Sequence, residues 1–414
     1  MMRRILVGTA ALMLTLLAAC GGDEPFTPPP GGGGGGTPVL PSPASAPALK
    51  TVIAGRFGVV NYPVGAAIEP ASTTNADSTL LIRHFSSITA ENVMKPDTLW
   101  PSLPGTSQPG TPNFTQADIL VNFAQVNNMQ LRGHTLLWHR TIPAWMLDGP
   151  LTQPLNYRAI IQQNLRNYIF AVVQRFPNVY AWDVVNEVAS DTQNAANPYR
   201  TDSLWYQAYS IGGLNGSDYV RDAFTFANQA RTSIGKNSSN MKLMLNDYNT
   251  ELPGKRANVI QIVQALVNAG VPIDGVGHQF HLQLNANVAD VTAALVAVET
   301  VSSTLVNHVT ELDVSIYADP GNCFSAPAIP PCMADYGASP PQSVLSQQAL
   351  LYRALFNAFN RPSVTSVSLW GVADNQTWLN TFPVARTNRP LLFDTAGLPK
   401  WAFWTVVDPA INVP

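Results

Sequence analysis

Ala181-Trp182-Asp183-Val184-Val185-Asn186-Glu187-Val188 closes a β-branched, apolar run that begins at Val179 and finishes in an amide and a carboxylate. A run of this length and composition reads as a strand buried on both faces, the condition of a parallel sheet covered by helices. Seven comparable runs flank it, at residues 57–60, 87–89, 130–136, 241–245, 273–276, 306–310 and 364–369. Helical patterns lie between most of them. Ile161, Leu165, Tyr168 and Val172 recur at i, i+4, i+7 and i+11; Val220, Phe224 and Ala227 repeat the spacing; Val259, Val263 and Leu266 run into Gly270 and Pro272, a helix stop. Eight strand–helix units predict one (β/α)8 TIM barrel over residues 48–414, with functional groups at the C-terminal ends of the strands. A doubly wound sheet would alternate in the same way, but no glycine-rich phosphate loop follows an early strand, so a nucleotide site has no support.

Polar and aromatic residues collect at those strand ends. Glu91, Asn92 and Lys95 follow the second run, His134, Trp138 and His139 the third, and Asn186 and Glu187 the fourth. Asn246-Asp247-Tyr248-Asn249 ends the fifth, His278-Gln279-Phe280-His281 the sixth, Thr310-Glu311-Leu312-Asp313 the seventh, and Trp370 and Trp378 follow the eighth. Carboxylates, amides and indoles around one mouth suit a sugar, whose edges are hydroxyls and whose faces are C–H. An isolated Asn-Glu after a strand also serves as a helix cap. Two glutamates on strands four and seven, nearly opposite in an eight-fold ring with amide and imidazole partners between them, are more than capping supplies. Trp182 and Trp404 read as core, and His84 and His308 as ordinary surface or satisfied histidines.

The 23 Lys+Arg against 26 Asp+Glu leave a net charge of −3, which is no basis for a nucleic-acid partner. Met1-Met2-Arg3-Arg4 and the apolar run 5–19 form an export signal too short to span a bilayer. The signal ends Leu17-Ala18-Ala19-Cys20, resembling a bacterial lipoprotein signal in which Cys20 is acylated; a plain secretory signal with an incidental cysteine is the alternative. Gly21 after Cys20 leans toward an outer membrane, with the catalytic domain periplasmic or at the cell surface. Residues 20–47, rich in Gly and Pro, read as a flexible tether. The membrane is then reached only through the lipid. Cys323 and Cys332 are nine apart, and their reading as a loop staple is favoured over a metal pair, since no further ligand sits near them.

The stretches GHTLLWH, WDVVNEV, GVGHQFHL, TELDV and LWGVADNQTW resemble those of glycoside hydrolase family 10, the endo-1,4-β-xylanases, in order and separation from about Lys50 onward. The resemblance implies that Glu187 is the acid/base and Glu311 the nucleophile. It further implies that Asn186 contacts the 2-hydroxyl of the sugar being cleaved, that His281 hydrogen-bonds Glu311, and that Asp313 orients His281. Glu91, Asn92, Lys95, His134, Trp138, Gln279, Trp370 and Trp378 would line the glycone subsites. Phe280 stands where the family often has a small residue, and the Cys323–Cys332 stretch is longer than a minimal strand-seven loop; both bear on the leaving-group side.

Glycoside hydrolysis needs a proton for the departing oxygen and a stabiliser for an oxocarbenium-like transition state, and two carboxyl groups in different protonation states supply both. An ionised Glu311, held by His281 and Gln279, would raise the pKa of Glu187. No metal or organic cofactor is required. The expected protein is a monomeric, retaining endo-1,4-β-xylanase acting on xylan or xylo-oligosaccharides through a covalent glycosyl-enzyme intermediate. The alternatives are a retaining β-glucanase or cellobiosidase-like hydrolase of the same fold, or a surface lipoprotein that binds glycan without turnover.

Overall fold

The computed structural model describes residues 38–324 and 330–414. The signal segment 1–19, the acylation candidate Cys20 and residues 20–37 of the tether lie outside the described residues. Eight parallel strands form the barrel: β1 Val64–Ile68, β2 Ser87–Ala90, β3 Gln130–Gly133, β4 Val179–Asn186, β5 Lys242–Asp247, β6 Gly275–His278, β7 Val306–Val314 and β8 Val364–Leu369. Each pairs with the next, and β8 returns to β1 with Gly65 opposite Ser368, so no edge is left open. A two-residue strand, His281–Leu282, adds to the end of β7 by pairing His281 with Asp313.

The run 57–60 is not the first strand. Phe57 ends the helix Leu49–Phe57, Gly58 stops it in the left-handed region at φ 67°, and Val60 is 87% exposed. β1 starts beyond Pro63 and reads Val-Gly-Ala-Ala-Ile, a weak β pattern with a steric cause. A Cβ on Gly65 would meet Ser368 Oγ at 2.4 Å and Ser87 Oγ at 2.6 Å, so the barrel interior admits only small residues there. The other seven strands fall on their predicted runs.

The helical periodicities hold. Ile161, Leu165, Tyr168 and Val172 are all buried on the helix Pro154–Arg175, and Val220, Phe224 and Ala227 on Asp218–Ser233. Trp182 and Trp404 are core. His84 and His308 are both buried rather than at the surface: His84 Nδ1 accepts the N–H of Leu49 at 3.4 Å, while His308 Nδ1 has no hydrogen-bond partner among the described residues. Residues 38–47, which composition places in the tether, belong to the same compact unit as the barrel. Ala46 is buried, and its carbonyl accepts Arg83 Nη2 at 2.6 Å. Cys323 and Cys332 are disulfide-bonded.

Candidate active site

Glu187 is the first residue past β4 and lies in the left-handed region at φ 58°, a costly conformation for a non-glycine residue. Its N–H is held by the Asn246 carbonyl at 2.8 Å, which fixes the turn that carries the carboxylate over the barrel mouth. Glu311 lies within β7, two residues before Asp313, so strand alternation puts both side chains on one face. One amide network joins the two carboxylates. Asn246 Nδ2 donates to Glu311 Oε1 at 2.7 Å and to Asn186 Oδ1 at 2.9 Å. Gln279 Nε2 donates to Glu187 Oε1 at 3.2 Å and to Asn186 Oδ1 at 3.3 Å. Thr310 Oγ1 donates to Asn246 Oδ1 at 2.7 Å on the other side of the amide.

His281 bridges Glu311 Oε2 at 3.2 Å and Asp313 Oδ2 at 2.9 Å, and Trp378 Nε1 donates to the same Asp313 oxygen at 2.9 Å. Burial alone would lower the His281 pKa, but the Asp313 charge and hydrogen bond, with Glu311 adding to them, raise it to about 10. The ring is therefore an imidazolium donating from both nitrogens at neutral pH. For Glu311, burial pushes upward and the His281 hydrogen bond, with the charges of His134 and His281, outweighs it, leaving the group below the ordinary glutamate value. Glu187 goes the other way: burial raises it, and the Asp247 and Glu311 charges add to the rise against the Gln279 hydrogen bond. His139 Nδ1 is 3.9 Å from Glu187 Oε2 but offers no counter-charge, because burial and then Arg200 and Arg140 drive its pKa down to about 4. One carboxyl is thus held as the anion and the other biased toward the acid, the division of labour that glycoside cleavage needs.

The model of glycosyl hydrolase family 10 matches residues 48–409. The chain belongs to this family. Thermostable celloxylanase of Thermoclostridium stercorarium is 38% identical over 363 residues, covering 84% of this chain and 85% of its own length. Endo-1,4-beta-xylanase A of Thermoanaerobacterium saccharolyticum is 34% identical over 366 residues, 85% of this chain but only 27% of that longer protein. The crystal structure of xylanase B from Clostridium stercorarium F9 matches with a TM-score of 0.74 at 37% identity, over 88% of this chain and 100% of that one.

In this family 10 glycoside hydrolase the remaining sequence-predicted residues line the same mouth. Asn92 Oδ1 accepts Lys95 Nζ at 2.7 Å, and Lys95 Nζ lies 4.9 Å over the Trp138 ring. Trp138 also pairs with Asn186 across the gap between β3 and β4. His134 is buried, its Nδ1 2.9 Å from Asp183 Oδ2, and Asp183 in turn forms a buried ion pair with Arg132. Trp370 meets His134 edge-on at 5.4 Å and His281 at 6.2 Å. Burial raises the pKa of Glu91, with Glu69 adding to it.

Two expectations need correction. Gln279 engages Glu187 and Asn186, and the amide on Glu311 comes from Asn246 instead. Phe280 does not face the leaving-group side: it is fully buried at φ 50°, stacked between His278 at 5.0 Å and Phe359 at 6.1 Å. Its left-handed conformation turns the chain so that Gln279 and His281 reach different carboxylates. Sequence reasoning placed Asn246 at the end of the fifth run, at the mouth, but gave it no role on either carboxylate. It missed Glu69, whose Oε1 accepts Asn92 Nδ2 at 2.6 Å, because the first run was placed too early.

Proposed function

We propose that this glycoside hydrolase is a retaining endo-1,4-β-xylanase. Glu311 attacks the anomeric carbon while Glu187 protonates the departing oxygen; Glu187, now a base, then takes a proton from a water that attacks the anomeric carbon, breaking the ester bond to Glu311 and freeing the sugar with its configuration retained. His281, aligned by Asp313, keeps Glu311 ionised, and Asn186 holds the 2-hydroxyl of the sugar being cleaved. Lys95, Asn92 and Glu91 take the edge of the next glycone sugar, and His134, Trp138, Trp370 and Trp378 wall it. The single observation that carries this reading is the opposite displacement of the two carboxyl groups across one amide network, Glu187 upward and Glu311 downward. A glycan-binding protein without turnover gains nothing from two carboxyl groups displaced in opposite directions.

Trp378 and Trp370 would roof the position where a hexose carries its hydroxymethyl group and a pentose does not, and several relatives are named endo-1,4-beta-xylanases. The signal and Cys20 add an exported, lipid-anchored protein, with the anchor in an outer membrane and the enzyme working as a monomer at the end of the tether. Reducing-sugar release from xylan and from carboxymethyl cellulose, measured side by side, tests the reading. Preferential cleavage of cellulose would move the enzyme to the β-glucanases, and silence on both would leave a binder.

A further inference from the structure

Among the described residues only two phenylalanines are exposed, Phe324 at 44% and Phe382 at 39%, and they touch each other with ring centroids 5.8 Å apart. The other phenylalanines among the described residues are buried wholly or in part, so this exposed aromatic pair is a candidate contact surface. They are also not isolated from the site. Phe382 stacks on Trp378 at 5.0 Å and 21°, and Trp378 lies 4.9 Å from His281, the partner of Glu311. The row runs outward from the reacting centre: His281, Trp378, Phe382, Phe324.

The two loops that carry the row are tied together by buried chemistry. Arg386, on the loop after β8, donates from Nη1 to the carbonyls of Cys332 and Ala334 at 3.2 Å each, and its guanidinium forms a buried ion pair with Asp319. It also lies 3.6 Å over the Tyr317 ring. Cys332 is bonded to Cys323, the residue next to Phe324. A ring held from both sides loses little freedom when a ligand lands on it, which favours binding.

We propose that Phe382 and Phe324 form a further subsite, an aromatic ledge that receives the C–H face of a pyranose ring in the same chain whose bond is cleaved between Glu187 and Glu311. The occupant is a sugar rather than a protein partner because the row is continuous with Trp378 and so leads along whatever the two carboxylates hold. The inference rests on the activity proposed above. It assigns Phe324, beside the Cys323–Cys332 disulfide, and Phe382 to the capture of longer substrate.

The test compares the wild-type enzyme with the double variant Phe324→Ala/Phe382→Ala on xylohexaose and on an aryl β-xylobioside. Both rings are exposed, so the fold is expected to survive, and an unchanged melting temperature checks that it has. The ledge predicts that kcat/KM for xylohexaose falls three- to tenfold, about 0.6–1.4 kcal/mol, through KM, while the aryl xylobioside keeps its kcat and KM. Equal losses on both substrates, or none on either, overturn the ledge and leave the activity assignment standing. A wild-type enzyme inactive on both overturns the activity assignment itself.

Discussion

Asn246 Nδ2 lies 2.7 Å from Glu311 Oε1, a carboxylate oxygen that only accepts, so the amide turns its oxygen away, where it takes the Thr310 hydroxyl at 2.7 Å. Asn246→Asp replaces this donor with an acceptor of like charge, and two carboxylates at that distance cannot both ionise. The acid limb of the kcat/KM profile is expected to move to higher pH by more than about one unit, with kcat reduced. An acid limb that stays in place would show that the amide has no hold on Glu311 ionisation.

The two glutamates separate by role under azide. Glu311→Ala should be nearly silent on natural substrates, since no leaving group replaces a missing covalent partner. With a dinitrophenyl leaving group, which needs no proton, Glu187→Ala should form the intermediate fast and hydrolyse it slowly, giving a burst. Azide should then restore turnover and yield the β-azide, whereas Glu311→Ala with azide yields the α-azide. Products of the opposite configuration in the two variants would reverse the assignment.

His281 links the site to stability. Its pKa rises from 6.5 to about 10 on folding: burial opposes the rise, and Asp313 and Glu311 more than overcome it. A raised pKa of a cationic group stabilises the fold in full below the unfolded value and is lost as pH climbs through the folded one. The melting temperature is therefore expected to fall between pH 6.5 and 10 more steeply in the wild type than in Asp313→Asn. Parallel curves would mean that His281 is not held protonated by Asp313.

The tether should end before residue 38. Removing residues 1–37 is expected to leave activity and melting temperature unchanged. Removing residues 1–47 also takes Ala46 from its buried seat and the acceptor from Arg83, and should lower the melting temperature by about 2–4 °C with activity at low temperature retained. Identical melting temperatures for the two truncations would return residues 38–47 to the tether.

Most of the barrel was legible because parallel strands buried on both faces are written as apolar runs, and seven of them read correctly. β1 was not, since the interior near Gly65 has no space for the β-branched residues that announce a strand, while the exposed Val59 and Val60 imitate one. Glu187, Glu311, His281 and Asp313 were legible as carboxylates and imidazoles at strand ends. Asn246 and Gln279 were harder: which carboxylate an amide serves depends on backbone turns such as the left-handed Phe280, and no side-chain pattern encodes those.

Glu311 and Asp313 alternate along one hydrogen-bonded strand, so their spacing is set by peptide geometry, at about 6.6–6.8 Å for two residues. The strand thus fixes the spacing of nucleophile and Asp313, while Trp378, on the loop after β8, donates from Nε1 to Asp313 Oδ2, the oxygen that holds His281. A change in that loop is therefore felt at the nucleophile through Asp313 and His281 without altering the spacing of the two carboxylates on β7.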